Sequence, residues 1–130
     1  MRPVVIDGGL QRPARSGDGL ISNPSISTIS ADANATITAT QVAGGVVQFT
    51  GFTAGRTLTT DTAANLLAQF SDMDVGDTRE FLVSIVPAFA GTWAAGTGVT
   101  LAGRATTPAS SSTVIIITKT SATTVTWTVL

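Results

Sequence analysis

The side chains that could do chemistry in this chain are carboxylates, and half of them lie in one short segment. Asp72, Asp74 and Asp77 are followed closely by Glu80, and Asp61 precedes them. Two carboxylates that face each other across a sugar, about 5–9 Å apart, could hydrolyse a glycosidic bond. The aspartate spacing also approaches that of a calcium loop, but the glycine precedes the third aspartate and the closing glutamate is missing. We interpret these residues as solvated carboxylates of a turn.

The rest of the composition argues against catalysis. The chain contains no histidine and no cysteine. This removes the commonest general base near neutral pH, the Ser-His and Cys-His nucleophile pairs, and most zinc sites. We therefore predict a protein that is not an enzyme and that needs no cofactor or metal. The net charge is −1 and no basic run is present to neutralise phosphates, so nucleic acid is not an expected partner.

The two tryptophans are candidates for contacts rather than for chemistry. Trp127 alternates with Val125 and Val129, which favours a place in the core or in a subunit interface. Trp93 lies in a glycine-rich segment, residues 91–96, where both a subunit interface and a ligand contact are open. An exposed indole could stack on a sugar ring, which would make a host-surface glycan the ligand.

Low charge suggests that much of the surface is covered. Charged residues make up 12% of the chain, against about 25% in an average soluble domain. A membrane protein would explain this, but the apolar run at residues 114–117 is far shorter than the roughly 20 residues of a spanning helix. The N-terminus also lacks the apolar region of a signal peptide. We therefore expect no membrane and no Sec export, and instead an oligomer or a component of an assembly.

The first thirty residues differ from those that follow, because their apolar residues are scattered among prolines and glycines. We predict an extended N-terminal anchoring arm and linker over residues 1–30, and a β domain over residues 31–130. Such an arm could add a strand to the sheet edge of another protein, fill pockets with its apolar side chains and pair its arginines with carboxylates. The candidate anchoring residues are Val4, Val5, Ile6, Leu10, Arg12, Arg15, Leu20 and Ile21.

The elements that must position these residues are mostly strands. Residues 35–40 and 46–52 predict two strands, residues 79–86 a central strand that is apolar on both faces, and residues 113–118 with 123–130 a terminal hairpin. The uncharged residues 114–117 must be paired on both sides or buried between subunits. Residues 22–34 form a linker or a weak strand.

One short helix is predicted among these strands. Ala63, Leu66, Leu67 and Phe70 recur at helical spacing, with Thr60 or Asp61 as the cap. The fold class is thus mainly all-β, a small β-sandwich or barrel with one short helix and an extended N-terminal arm.

Several short segments resemble the head decoration and head-fibre proteins of tailed bacteriophages. The segments are IDGGLQRP (6–13), SGDGL (16–20), LTTDTAA (58–64), VGD (75–77) and GTGVTLAG (96–103). In that family an extended glycine-rich segment precedes a β domain. This chain has Arg-Pro-Ala-Arg where the family more usually has Leu-Pro-Ala-Gly.

The resemblance implies a structural virion protein on the outer surface of a capsid. Such a protein would bind the major capsid protein and would itself form a homotrimer. It would be made in the host cytoplasm. It would stabilise the shell by bridging capsid subunits rather than by any reaction. A glycan- or receptor-binding fibre module that uses Trp93 is the alternative, and an assembly part located at the tail is a third reading.

Overall fold

The protein has a small, mainly β, sandwich-like fold, as predicted. The computed structural model describes the backbone of residues 4–7 and 10–13, and residues 25–130 in full. The strands are β1 (Val4–Asp7), β2 (Leu10–Pro13), β3 (Ser25–Ile29), β4 (Ala35–Ile37), β5 (Gly45–Phe49), β6 (Arg56–Thr60), β7 (Thr78–Ile85), β8 (Gly91–Ala94), β9 (Val99–Gly103), β10 (Thr106–Thr107), β11 (Ser111–Lys119) and β12 (Val125–Val129). The helices of the described residues are α1 (Ala39–Gly44) and α2 (Ala63–Gln69).

The chain alternates between two sheets from β3 to β11. A six-stranded sheet has the order β3-β5-β7-β11-β12-β9, and a four-stranded sheet has the order β10-β8-β6-β4. Because successive strands enter different sheets, strands two apart in sequence become neighbours. The pairs β3–β5, β5–β7, β4–β6 and β6–β8 are all parallel. The chain therefore winds as a flattened coil, in which each turn adds one strand to each sheet, and does not form a series of hairpins.

The terminal hairpin closes the large sheet. β11 pairs antiparallel with both β12 and β7, and β12 pairs in parallel with β9. The predicted hairpin and the predicted central strand are therefore confirmed. Residues 114–117 are paired on both sides, because β11 lies between β7 and β12.

The core lies between the two sheets, and alternation along each strand decides which residues enter it. In β12, Val125, Trp127 and Val129 are buried while the threonines between them are half-exposed. β7 and β11 show the same period at Phe81 to Ile85 and at Thr113 to Ile117. Side chains of successive strand residues point to opposite faces, so each strand gives one face to the core and one to the outside.

Both tryptophans belong to this core. The core reading of Trp127 therefore holds, whereas Trp93, for which a subunit interface or a ligand contact was expected, is buried inside the domain. Trp93, on β8, is 6% exposed and Trp127, on β12, is fully buried. Their ring centroids are 5.5 Å apart, so the pair joins the two sheets. The ring of Phe81 meets Trp127 edge-on at 5.1 Å. Large aromatic rings supply more buried area than any other side chain, which is why the interior takes them.

The strand predicted over residues 35–40 is wrong beyond Ile37, where helix α1 replaces it. Thr38 is extended and caps the helix, since its hydroxyl accepts from the Gln41 amide while the Gln41 side chain accepts from the Thr38 amide. This reciprocal capping box satisfies two amides that a helix start would leave unpaired. Gly45, with φ of 95°, ends the helix in a left-handed conformation that glycine adopts without strain.

The predicted helix is confirmed as α2, but its cap is Thr62 and neither Thr60 nor Asp61. The Thr62 hydroxyl accepts from the Asn65 amide at 3.2 Å. Asp61 instead joins the two helices, because its carboxylate accepts from the amides of Ala39 at 2.8 Å and Thr62 at 2.7 Å. With α1 included, the described residues hold two helices where one was predicted.

The large sheet begins earlier than the predicted boundary at residue 31. β3 falls within the segment predicted as arm and linker, yet it is the edge strand of the six-stranded sheet. Its residues pair in register with β5, from Ser25 opposite Gly45 to Ile29 opposite Phe49. Of the two readings of residues 22–34, the strand is the one that holds for residues 25–29.

The N-terminal strands pair with each other. β1 and β2 form an antiparallel two-stranded sheet, with Val4 opposite Pro13 and Asp7 opposite Leu10. Both strands are extended, as the predicted arm is, but β2 pairs back onto β1. Among the described helices, neither is long and apolar enough to cross a membrane.

Candidate interaction surface

An aliphatic row crosses the outer face of the six-stranded sheet, on the side away from the core. The strand register places Ile26 beside Val46, Val46 beside Leu82, and Leu82 beside Val114. The Leu130 amide donates to the Val114 carbonyl at 3.1 Å and extends the row beyond β12. We call these five residues the aliphatic row. It runs from the edge strand β3 across β5, β7 and β11.

The row is open to solvent at both ends and half-covered in the middle. Ile26 is 64% exposed, Leu130 55% and Val114 37%. Val46 and Leu82 are intermediate, since neighbouring strands shield a central position more than an edge. Single exposed apolar residues are ordinary on a protein surface, but a contiguous set of them marks an interaction site.

The rows beside it are polar but almost uncharged. On one side the register aligns Thr28, Gln48, Ser84 and Ser112. On the other side Ile116 extends the apolar area towards Thr128, and beyond it lies a row of threonines: Thr78, Thr118, Thr126 and Thr100. Among the outward positions of these six described strands, Glu80 is the single charged side chain.

The predicted carboxylate cluster serves as structural support at the turn before β7. Asp72 pairs with Arg79, whose Nη2 lies 2.9 Å from each carboxylate oxygen. The guanidinium of Arg79 also stacks over the Phe70 ring, 5.2 Å from its centroid. Asp77 accepts from the Asp74 amide at 2.9 Å, which closes the turn. The interpretation as turn carboxylates agrees with these contacts.

Asp61 lies apart from that cluster, between the starts of the two helices. Besides the two backbone amides, the Asn65 side chain donates to its carboxylate at 2.8 Å. Partial burial raises the pKa of Asp61, but the three donated hydrogen bonds outweigh it and leave the pKa below its ordinary value. Its carboxylate is thus used to hold α1 and α2 together. Within residues 25–130, no three acidic side chains come together as a metal site would require.

Trp93 offers no platform for a sugar. Its indole N–H donates to the Thr107 hydroxyl at 3.0 Å inside the protein. The ring lies beside Trp127, tilted by 53° to it, and only 6% of the residue reaches solvent. Stacking on a glycan needs an open ring face. Trp93 therefore does not supply the contact on which the alternative, a glycan-binding fibre module, depends.

The structure describes the predicted anchoring residues only in part. Val4, Val5 and Ile6 lie on β1, and Leu10 and Arg12 lie on β2. The remaining anchoring residues, Arg15, Leu20 and Ile21, lie outside the described residues.

The aliphatic row is absent from the predicted site residues, although the sequence carried two signs of it. The strand at residues 79–86 is apolar on both faces, and residues 114–117 are apolar without interruption. A strand at a protein surface normally alternates, so apolar residues on its second face indicate a second buried side. What the sequence could not show is that Ile26 and Leu130 complete the same row.

Searches of protein-family models, of curated proteins and of solved structures each find no match to this chain.

Proposed function

We propose that the protein is a structural virion component, a capsid decoration protein that binds the outside of the major capsid shell through its N-terminal segment. Its action is mechanical, because a protein that bridges capsid subunits needs reach and contact area rather than a reactive group. It acts as a homotrimer and carries no nucleic-acid or membrane function. The outer capsid surface is its location, after synthesis in the host cytoplasm.

The observation that carries the proposal is the separate sheet formed by β1 and β2. Among the described strands these two pair only with each other, outside both sheets of the domain. An isolated two-stranded hairpin is at best marginally stable in water. A second protein that offers a sheet edge or an apolar surface would supply the partner that the hairpin lacks.

The remainder of the chain supports a binding role. The six-stranded sheet presents an aliphatic row with little charge around it. Of the candidate carboxylates, Asp61, Asp72 and Asp77 are engaged in turns and helix starts. Three arms on one homotrimer would raise the effective concentration of each arm at the shell, so weak individual contacts would add to firm attachment.

Deletion of residues 1–20 tests the attachment. We expect the shortened protein to keep the circular dichroism spectrum of the two-sheet domain and to lose binding to shells assembled from the major capsid protein of the same virus. Co-sedimentation with such shells measures binding. Retained full binding by the shortened protein would contradict the proposal.

A point substitution gives a milder version of the same test. Val5→Asp places a charge in β1, where an apolar contact with the shell is proposed, and should weaken co-sedimentation at least about tenfold, the effect of losing 1.4 kcal/mol. Val75→Asp is the matched control, because Val75 lies in the turn before β7 and is 63% exposed. The control should bind shells as the unaltered chain does.

A further inference from the structure

We infer that the aliphatic row is the surface through which copies of this chain contact one another. The inference goes beyond attachment by the N-terminal segment, because it assigns a different surface to a different partner. It deepens the proposed homotrimer but does not depend on a capsid. The reasons are the exposure of the row, the distribution of charge around it, and its area.

The aliphatic row is exposed to solvent. Ile26, Val114 and Leu130 place large aliphatic side chains in solvent on one continuous line. Half-exposed Val46 and Leu82 fill the gap between them. Removing each such side chain from water lowers the free energy of the associated state. The row is therefore a surface that association would cover.

The distribution of charge favours a second copy as the partner. A different protein that is selected by electrostatics needs complementary charges to meet. Glu80 is the single charge among the outward positions of the six described strands. A second copy offers the same aliphatic row, and its threonines and serines can exchange hydrogen bonds with those of the first. Depletion of charge from the centre of a patch is the usual composition of subunit contacts.

The area of this face suffices for a specific contact. Six strands about 4.8 Å apart span roughly 24 Å, and their mean length of about six residues corresponds to roughly 20 Å, so the face covers about 500 Å². Two such faces bury about 1,000 Å² in total, the lower end of a specific interface.

The test compares glutamate substitutions in the full chain. Ile26→Glu and Val114→Glu should each convert the associated protein into single chains, because every contact would bury an unpaired charge. Val75→Glu is the control, since Val75 has the same exposure as Ile26, 63% against 64%, but lies off the sheet face. Multi-angle light scattering at micromolar concentration reports the number of chains, and circular dichroism reports folding.

A milder substitution tests the same contact if the glutamate variants fail to fold. Val114→Thr keeps the branched shape of the side chain and adds a hydroxyl that the contact would desolvate. We expect the dissociation constant of the associated chains to rise about tenfold, because one hydroxyl would be buried without a good hydrogen-bond partner. Sedimentation velocity over a dilution series measures this shift.

The outcomes separate the two proposals. A single chain for the unaltered protein, or unchanged association in the folded Ile26→Glu variant, would overturn the inference. Dimers that Ile26→Glu dissociates would support the inference and contradict the homotrimer. Loss of shell binding on deletion of residues 1–20, with association intact, would support both the arm and the separate contact between copies.

Discussion

At the scale of single residues, Asp32 connects parts of the chain that are distant in sequence. Its carboxylate accepts from the amide and hydroxyl of Thr53 and, at 2.7 Å, from Arg56 Nη2. The Thr53 hydroxyl is the largest influence on the pKa of Asp32, followed by the Thr53 amide and Arg56, and together they lower it to about 2. These contacts fasten the segment between β3 and β4 to the start of β6.

This lowered pKa predicts a loss of stability in acid. Below its ordinary pKa of 3.8 the unfolded chain binds a proton that the folded chain, with a pKa of about 2, does not. The contribution of Asp32 is therefore fully present above about pH 5 and is lost as the pH falls towards 2. Asp32→Asn should lower the free energy of unfolding at neutral pH and flatten its decline in acid. Urea unfolding across this pH range measures both.

Asp74→Asn is the control for this experiment. Asp74 is exposed, and in the described residues only its backbone takes part in the turn contacts with Asp77. The variant should keep the acid dependence of the unaltered chain. If Asp32→Asn keeps it too, the network around Asp32 does not act as proposed. The sequence could not have indicated this network, because Asp32 and Arg56 are 24 positions apart.

At the scale of elements, α1 shows where local pattern and local capping disagree. Residues 35–40 alternate as a strand does, but Thr38 and Gln41 form a capping box that begins a helix. The strand pattern holds only as far as Ile37. A hydroxyl residue followed three positions later by glutamine is a helix-start signal, and here it prevails over alternation because Ala39 and Val42 then enter the core.

Removal of this cap should destabilise the protein measurably. Thr38→Ala leaves the backbone amide of Gln41 without its acceptor and should lower the free energy of unfolding by about 1 kcal/mol. Thr40→Ala, two residues further on and exposed within α1, should be neutral or slightly stabilising, because alanine is the better helix former. Chemical unfolding of both variants gives the comparison. Equal effects would mean that the cap contributes nothing.

Other elements divide into those that sequence pattern predicts and those that it does not. β12 alternates over five residues, and β7 and β11 contain runs of β-branched and aromatic residues, so all three were predictable. β10 has two residues, too few for any period. The parallel pairing of β3 with β5 has no local signal at all, because the two strands belong to different turns of the coil.

At the scale of the whole molecule, Trp93 and Trp127 join the two sheets. Trp93→Ala should lower the free energy of unfolding by about 3–5 kcal/mol, the usual effect of removing a large buried side chain. Phe89→Ala is the control, because Phe89 is 41% exposed and its loss should change stability by less than about 0.5 kcal/mol. Thermal unfolding followed by circular dichroism measures both. A small effect for Trp93→Ala would contradict its place in the core.

The candidate surface was harder to predict than the fold, because it depends on which strands are neighbours in the sheet. Apolar residues at Leu82 and Val114 indicate that their strands have two buried sides, but they do not say which strands are neighbours. Only the register of the sheet brings Ile26 and Leu130 onto the line of these residues. A site made from single residues of four strands and the residue after β12 exists only once the sheet has formed.

The alternation of the chain between the two sheets also affects the order in which the domain can fold. β11 and β12 follow every other described strand in sequence, yet they occupy the inside of the large sheet, and β9 pairs there only with β12. While the ribosome is still synthesising these last strands, β9 has no neighbour in that sheet and β7 has an open flank. Contacts between residues distant in sequence slow folding. The large sheet can therefore be completed only after β11 and β12 have been synthesised.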